Sequence, residues 1–176
     1  PMEPVCLVSA VDGALALVRG HLRNDGSTVE THLPRGLPLV RGRLVLIESV
    51  LMNLCVNARD AMRQVPVESR VLRIEASTRP QGRVELRVID QGGGIPAAVM
   101  PRLFEPFFTT KSPGEGTGLG LSISHGMMQT MGGGLAVTNT GSGACFVLTL
   151  RAVVPEGQAC LASSAGGAMT FVHHDA

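Results

Sequence analysis

Tryptophan and tyrosine are absent from this sequence of 176 residues. Side chains on which nucleic-acid bases commonly stack are therefore missing. Neither sign of charge is in excess, because 15 basic and 14 acidic residues give a formal net charge of +1. Binding to nucleic acid or to an anionic membrane depends on clustered positive charge, so the composition favours neither partner.

Long apolar runs and clustered cysteines are also missing. No stretch approaches the roughly 18 apolar residues that span a membrane, and no signal peptide is visible. Cys6, Cys55, Cys145 and Cys160 lie far apart and outside any CxxC pattern, which predicts reduced thiols rather than a metal site or a disulfide. The length predicts one domain, and the start at Pro1 suggests a piece of a longer protein.

The stretch from Glu48 to Met62 predicts a helix with two different faces. One face is an apolar stripe whose members recur three and four residues apart: Leu44, Ile47, Leu51, Leu54, Ala58 and Ala61. At about 100° per residue, Asn53, Asn57 and Asp60 fall within about 60° of one another on the opposite side. Asparagine is a mediocre helix former, so this face is either a ligand surface or a solvated exterior.

The remaining periodicity predicts an α+β domain built as a two-layer α/β sandwich. Its predicted elements are helices at 5–23 and 117–131, a strand at 28–33, a hairpin of 71–78 with 84–89, and a hairpin of 135–139 with 144–150. Strands and helices that do not alternate strictly argue against a doubly wound parallel sheet. We expect the domain to occupy residues 1–153 and a tail or linker rich in Ala, Gly and Ser to occupy 154–176.

Two glycine-rich stretches carry candidate chemistry. Asp90 ends a predicted strand and is followed by Gly92, Gly94 and Ile95. A carboxylate beside bare backbone can accept a hydrogen bond from an exocyclic amine such as that of adenine, although an Asx turn is the alternative. The second stretch, 114–121, opens a helix, and its backbone amides could bind phosphate. It matches neither the Rossmann nor the P-loop pattern.

The connection from residue 97 to residue 116 is long and proline-rich, as functional lids often are. It holds three of the five phenylalanines, Phe104, Phe107 and Phe108. Aromatic residues in such a loop either pin it to its own domain or form a docking site for a partner.

The order of these motifs is more specific than any one of them. NxxxN on a helix, DxGxGIP, FEPFFTTK and then GTGLGL resemble the catalytic ATP-binding domain of sensor histidine kinases. That domain belongs to the GHKL superfamily, together with gyrase and the heat-shock and mismatch-repair ATPases. The resemblance covers about residues 5 to 152, and it is strongest to the nitrogen-regulatory and dicarboxylate-sensing subgroup. It implies the Bergerat fold, a mixed and mostly antiparallel sheet covered on one face by helices.

The resemblance also implies roles for individual residues. Asn57 would bind Mg²⁺ that bridges the ATP phosphates, Asp90 would hold the adenine amino group, and Thr149 would reach adenine through water. The implied ATP-binding set is Asn53, Asn57, Asp60, Ala61, Asp90, Gly92, Gly94, Ile95, Lys111, Gly116, Thr117, Gly118, Leu119, Gly120, Leu121 and Thr149. Asp60 stands where many relatives have a basic residue, so Lys111 becomes the candidate for neutralising γ-phosphate charge, and no residue is assigned as certainly catalytic. Arg151 stands where relatives usually have proline.

By resemblance, the function is transfer of the γ-phosphoryl group of Mg-ATP to a histidine of an upstream dimerisation hairpin, for relay to an aspartate of a response regulator. That hairpin is absent from this sequence, and His125 does not lie in the sequence context of a phosphoacceptor histidine. The chain alone is therefore not expected to phosphorylate itself. The resemblance implies a cytoplasmic, monomeric fragment of a homodimeric parent that can be anchored in the inner membrane, with no contact to nucleic acid. The alternatives are a pseudokinase scaffold that transfers no phosphate and a serine-directed anti-sigma-factor kinase, which generally lacks the phenylalanine motif.

Overall fold

The computed structural model describes residues 1–153, and these residues form three α-helices. Helix α1 spans Leu7–Asn24, α2 spans Leu44–Met62 and α3 spans Gly120–Thr130. Short 3-10 turns lie at Val67–Ser69 and Met100–Arg102. The predicted helices are therefore confirmed, and the predicted tail at 154–176 lies outside the described residues.

The apolar face of α2 is wider than the predicted stripe. Ile47, Leu51, Leu54 and Ala58 are buried as expected, but Ala61 is exposed. The other buried residues of the helix are Val50, Cys55 and Met62. Because α1, α3 and the sheet all pack against α2, burial extends beyond a single stripe, and Ala61 lies on the side of the loop that follows the first hairpin.

Seven strands form two sheets within the described residues. They are β1 (Glu3–Val5), β2 (Thr28–His32), β3 (Val40–Gly42), β4 (Val71–Arg79), β5 (Arg83–Ile89), β6 (Gly134–Asn139) and β7 (Ala144–Arg151). The main sheet has the order β2-β4-β5-β7-β6, in which only β2 and β4 run parallel. Strands β1 and β3 pair in a small second sheet. The predicted mixed, mostly antiparallel sheet is confirmed.

One face of the main sheet is covered and the other is polar. Leu72, Ile74, Leu86 and Leu148 are fully buried in the core shared with α1 and α2. Full burial of each such side chain stabilises the fold by about 1.5–3 kcal/mol. The alternate residues carry charge pairs such as Arg73–Glu30 and Arg87–Glu85. This alternation gives the two-layer sandwich its single helical layer.

Helix α3 is shorter than predicted at its start. The prediction began at Thr117, but Gly118 has a φ of +68°, a left-handed conformation that cannot continue an α-helix. The helix ends just before the glycines at 132–134, as predicted. Gly132 has a φ of +68°, and the Gly133 amide donates to the Met128 carbonyl at 2.9 Å, which terminates the helix.

The cysteine prediction is confirmed at two positions and wrong at a third. Cys55 and Cys145 are free and buried, and burial raises the pKa of the Cys55 thiol to about 12. Cys6, by contrast, is disulfide-bonded. Within residues 1–153, no helix has both the length and the apolar character needed to cross a membrane.

Candidate nucleotide-binding site

The polar face of α2, the loop after β5 and the connection before α3 enclose a cleft of about 1030 Å³. This is the size of a small-molecule site. Most of the predicted ATP-binding residues line it: Asn53, Asn57, Asp60, Ala61, Asp90, Gly94, Ile95, Lys111, Gly116, Thr117, Gly118, Gly120 and Leu121. Residues from three separate stretches of the sequence thus meet at one cleft.

Asp90 lies just past the end of β5 and is only 4% exposed. Its Oδ1 accepts hydrogen bonds from the backbone amides of Gly92 at 2.8 Å and Ala144 at 3.2 Å. Burial raises the pKa of the carboxyl group, and these two hydrogen bonds offset only part of that effect. Among the described residues nothing donates to Oδ2, so this oxygen is available to a ligand that donates from within the cleft.

The turn between β6 and β7 holds the Asp90 loop in place. Gly143 packs against the Asp90 backbone so closely that a side chain could not be accommodated there. Asn139 donates from Nδ2 to the Ile95 carbonyl and accepts from the Ile95 amide, both at 2.8 Å. The Gly93 amide donates to the Ser142 carbonyl at 3.0 Å. The loop is therefore fixed by a turn some 50 residues downstream.

Asn53 is oriented by α3. Its Nδ2 donates to Ser124 Oγ at 3.0 Å, and Ser124 is buried. A Cβ on Gly120 would lie 2.5 Å from Asn53 Oδ1. Gly120 therefore leaves room for the Asn53 amide, a role distinct from the predicted binding of phosphate by the backbone amides of 114–121.

Asn57, one turn further along α2, also lines the cleft. No hydrogen bond joins its amide to another residue of the described part of the chain, so the amide oxygen is open to a ligand. Such an oxygen is a ligand of the kind that Mg²⁺ accepts. Within residues 1–153, no group of three or more His, Cys, Asp or Glu side chains is arranged to hold a metal ion.

Asp60 is the most strongly paired charge in the cleft. Its Oδ1 accepts from Arg59 Nη2 at 2.7 Å, and its Oδ2 accepts from Lys111 Nζ at 2.5 Å. Burial favours the neutral acid, but the hydrogen bonds from Lys111 and Arg59 outweigh it and hold the pKa of Asp60 below its ordinary value. Arg59 also lines the cleft and reaches Asp25 at 3.3 Å.

The connection at residues 97–119, which we call the lid, is built largely from contacts within itself. Arg102 pairs with Glu105 and lies 4.4 Å from the Phe108 ring centroid. Gly118 packs directly on the backbone of Phe107, a residue that is 75% exposed with a φ of +66°. Where the lid joins the domain, Phe104 stacks on His125 of α3 with centroids 5.0 Å apart. This contact gives His125 a packing role at the surface of α3.

Three predicted residues do not line the cleft. Gly92 lies behind it, where a Cβ would lie 2.7 Å from Ala61. Leu119 precedes α3, and its carbonyl accepts from Ile123. Thr149 pairs with Glu85 across β5 and β7, so it lies on the polar face of the sheet. The alternation of β7 could have shown this, because Leu148 and Leu150 occupy the buried face.

Sequence reasoning missed two residues that orient the site, Ser124 and Asn139. Ser124 lies one helical turn after Gly120 and faces Asn53 across a helix pair, and no local pattern marks that contact. Asn139 ends β6 and was counted only as part of a hairpin. In the sequence, Ser124 and Asn139 stand out only as polar residues at positions where the helix and the strand, respectively, should be packed.

The chain belongs to the histidine kinase-, DNA gyrase B- and HSP90-like ATPase family, whose sequence profile matches residues 42–154. It is 45% identical over 157 residues to the two-component sensor PprA of Pseudomonas aeruginosa, covering 88% of this chain and 17% of PprA. It is 33% identical to the C4-dicarboxylate transport sensor protein DctB of Rhizobium meliloti, covering 84% of this chain and 23% of DctB. The chain thus spans about a fifth of the length of these relatives.

Solved structures agree with the fold. Full-length ShkA in complex with AMPPNP superposes with a TM-score of 0.74 at 24% sequence identity, covering 88% of this chain and 32% of ShkA. At that identity the likeness concerns the fold alone. The chain is therefore an ATPase domain of the kind found in sensor histidine kinases, as the order of motifs predicted.

Proposed function

We propose that this domain binds Mg-ATP and donates its γ-phosphoryl group to a histidine on a dimerisation hairpin of a longer sensor kinase, from which the phosphoryl group passes to an aspartate of a response regulator. The observation that carries the proposal is the open Oδ2 of Asp90, which lines a cleft together with Asn53, Asn57 and the start of α3. The Asp90 carboxylate can accept a hydrogen bond from a base, and the backbone amides at the start of α3 can donate to phosphates. The cleft therefore suits a nucleotide.

In this proposal Asp90 recognises the base. Its Oδ1 is already occupied by two backbone amides, so Oδ2 would accept the hydrogen bond from the exocyclic amine of adenine. Guanine has a carbonyl oxygen at that position, which would face the carboxylate as an unfavourable acceptor pair. The site would therefore discriminate between the two purines.

The phosphates would lie towards the beginning of α3. Backbone amides at a helix start attract anions, and Gly116, Gly118 and Gly120 border this part of the cleft. Lys111 is the lid residue that would neutralise the charge of the phosphates. Phosphoryl transfer depends mainly on positioning and on neutralising charge, and these groups would provide both.

Asn57 fits a magnesium ligand because its amide oxygen lines the cleft without another described partner. Mg²⁺ is usually held by one or two protein groups together with substrate phosphates. When bound, the ion would neutralise phosphate charge, while Asn53, fixed by Ser124, would line the same side.

Calorimetric titration of the 176-residue chain with ADP and GDP tests base recognition. We expect ADP to bind at least tenfold more tightly than GDP, because only adenine presents an amine to Asp90. Equal affinities would show that the adenine amino group does not lie at Asp90.

Incubation with ATP labelled at the γ-phosphate tests the transfer. The chain alone should acquire no acid-labile label, and label should appear on a histidine-bearing hairpin of a homologous sensor kinase added in trans. Nucleotide binding without transfer to any such hairpin would favour the pseudokinase scaffold instead.

A further inference from the structure

We propose that Asp60 is a positioning residue that latches the lid by holding Lys111 over the cleft. Asp60 is an acidic side chain beside the part of the cleft proposed for phosphates, where a negative charge is unexpected. Lys111 Nζ donates to Asp60 Oδ2 in a hydrogen bond that measures 2.5 Å and is partly buried.

This pair is the sole hydrogen bond or ion pair, within residues 1–153, that joins the lid to a part of the chain remote from it in sequence. The other polar contacts of the lid lie within it or join it to its immediate neighbours, such as Pro96 and Ser122. Breaking the pair would leave the tip of the lid with no electrostatic attachment to α2.

Asp60 itself is held firmly, as a latch requires. Its side chain is 18% exposed, and Arg59 engages its other oxygen through Nε at 3.0 Å and Nη2 at 2.7 Å. Arg59 is in turn paired with Asp25 at the end of α1. The carboxylate is therefore fixed to two helices, whereas Lys111 reaches it from the lid.

The lid backbone is shaped to bring Lys111 to this point. A Cβ on Gly116 would lie 2.9 Å from Lys111 Cδ, so the glycine gives the lysine stem its path. The Lys111 amide donates to Thr109 Oγ1 at 3.1 Å. The ammonium group therefore borders the cleft, where the Asp60 carboxylate neutralises its charge.

Chymotrypsin digestion without nucleotide tests the latch, since the exposed Phe107 lies in the lid. When opening is fast, cleavage follows the population of the open form. Asp60→Asn and Lys111→Met should each speed cleavage after Phe107 or Phe108 by about fivefold, as expected for a partly exposed ion pair. The double variant should be no faster than either single variant, because both remove the same interaction.

Two further variants make this test specific. Asp60→Glu keeps the carboxylate that Arg59 and Lys111 engage, so it should protect the lid better than Asp60→Asn does. Glu105→Gln breaks the ion pair with Arg102 inside the lid and should leave the cleavage rate unchanged. Because Asp60→Asn also loosens Arg59, Lys111→Met is decisive: cleavage at the wild-type rate in that variant overturns the latch.

A second measurement, which rests on the proposed function, separates positioning from simple electrostatics. Removal of an anion beside the phosphates should strengthen the binding of a non-hydrolysable ATP analogue if charge alone matters. If Asp60 delivers Lys111, Asp60→Asn should instead weaken that binding about two- to fivefold, and tighter binding overturns the positioning role. The digestion uses no nucleotide, so its result stands even if the chain binds something other than ATP.

Discussion

The wall of the cleft around Asp90 and the wall formed by the lid differ in how they are fixed. Asp90 is buried, and the turn between β6 and β7 holds its loop through Gly143, Asn139 and Ser142. The lid contains an exposed phenylalanine with a positive φ, and within residues 1–153 it is joined to α2 by one ion pair. In the proposed function, base recognition would thus be prearranged by the core, whereas the phosphate side is held by fewer polar contacts.

This difference fits what each wall would do in the proposed function. A rigid acceptor loses little entropy when a base binds, and this favours affinity. In the proposed function, the lid would open to exchange nucleotide, and segments that move in this way are drawn from the least stabilised parts of a fold. The comparison predicts large effects from changes near Asp90 and small effects from changes in the lid.

The largest effect should come from Asp90→Ala. A hydrogen bond to a charged acceptor is worth about 1.5–3 kcal/mol, so affinity for ADP should fall roughly 10- to 100-fold. Calorimetric titration measures the change, and a thermal unfolding curve verifies that the variant is folded. An unaltered dissociation constant would place the base at another part of the cleft.

Gly143→Ala should destabilise the fold by about 1–3 kcal/mol, because a new methyl group meets the Asp90 backbone. Gly141→Ala is the matched control in the same turn, since nothing lies within 4 Å of its added Cβ. Denaturant unfolding of both variants measures the difference. Equal stabilities would mean that the turn does not fix the Asp90 loop.

The third effect is a pH dependence of the free energy of unfolding, which arises from the Asp90 carboxyl group. Because the pKa in the folded state is raised above the ordinary value of 3.8, the folded state binds the proton more tightly than the unfolded state. The contribution of Asp90 to stability is therefore full at low pH and is lost as pH rises through the raised pKa.

Asp90→Asn should remove that loss, so the variant should be at least as stable as the wild type at neutral pH while binding ADP more weakly. Urea unfolding across a pH series measures the stability of the wild type and of the variant. A variant that is less stable at neutral pH than at low pH by the same margin as the wild type would contradict this assignment.

The smallest effect should come from the lid. Lys111→Met should weaken an ATP analogue by about two- to fivefold, as expected for a partly exposed cation, and should leave ADP almost unaffected. Competition titration with both nucleotides tests the split. A loss as large as that of Asp90→Ala would mean that the lid is as rigidly arranged as the base side.

Much of this site could be predicted from the sequence because its parts are encoded locally. The NxxxN spacing places Asn53 and Asn57 on one face of any α-helix, and both line the cleft. Asp90 follows alternating apolar residues that define β5, so its place at a strand end was predictable. Thr149 was assigned to adenine by resemblance alone, and the register of β7 puts it on the other face.

The sequence by itself determined the helices, the two hairpins, the family and the amide and carboxylate groups of the site, because periodicity and motif order depend on near neighbours along the chain. Only the tertiary structure decided that Ser124 orients Asn53, that Asn139 clamps Ile95 and that Asp60 holds Lys111. These contacts join residues 44 to 71 positions apart. They exist because helix and sheet packing brings those residues together, and packing is not written in the spacing of any one segment.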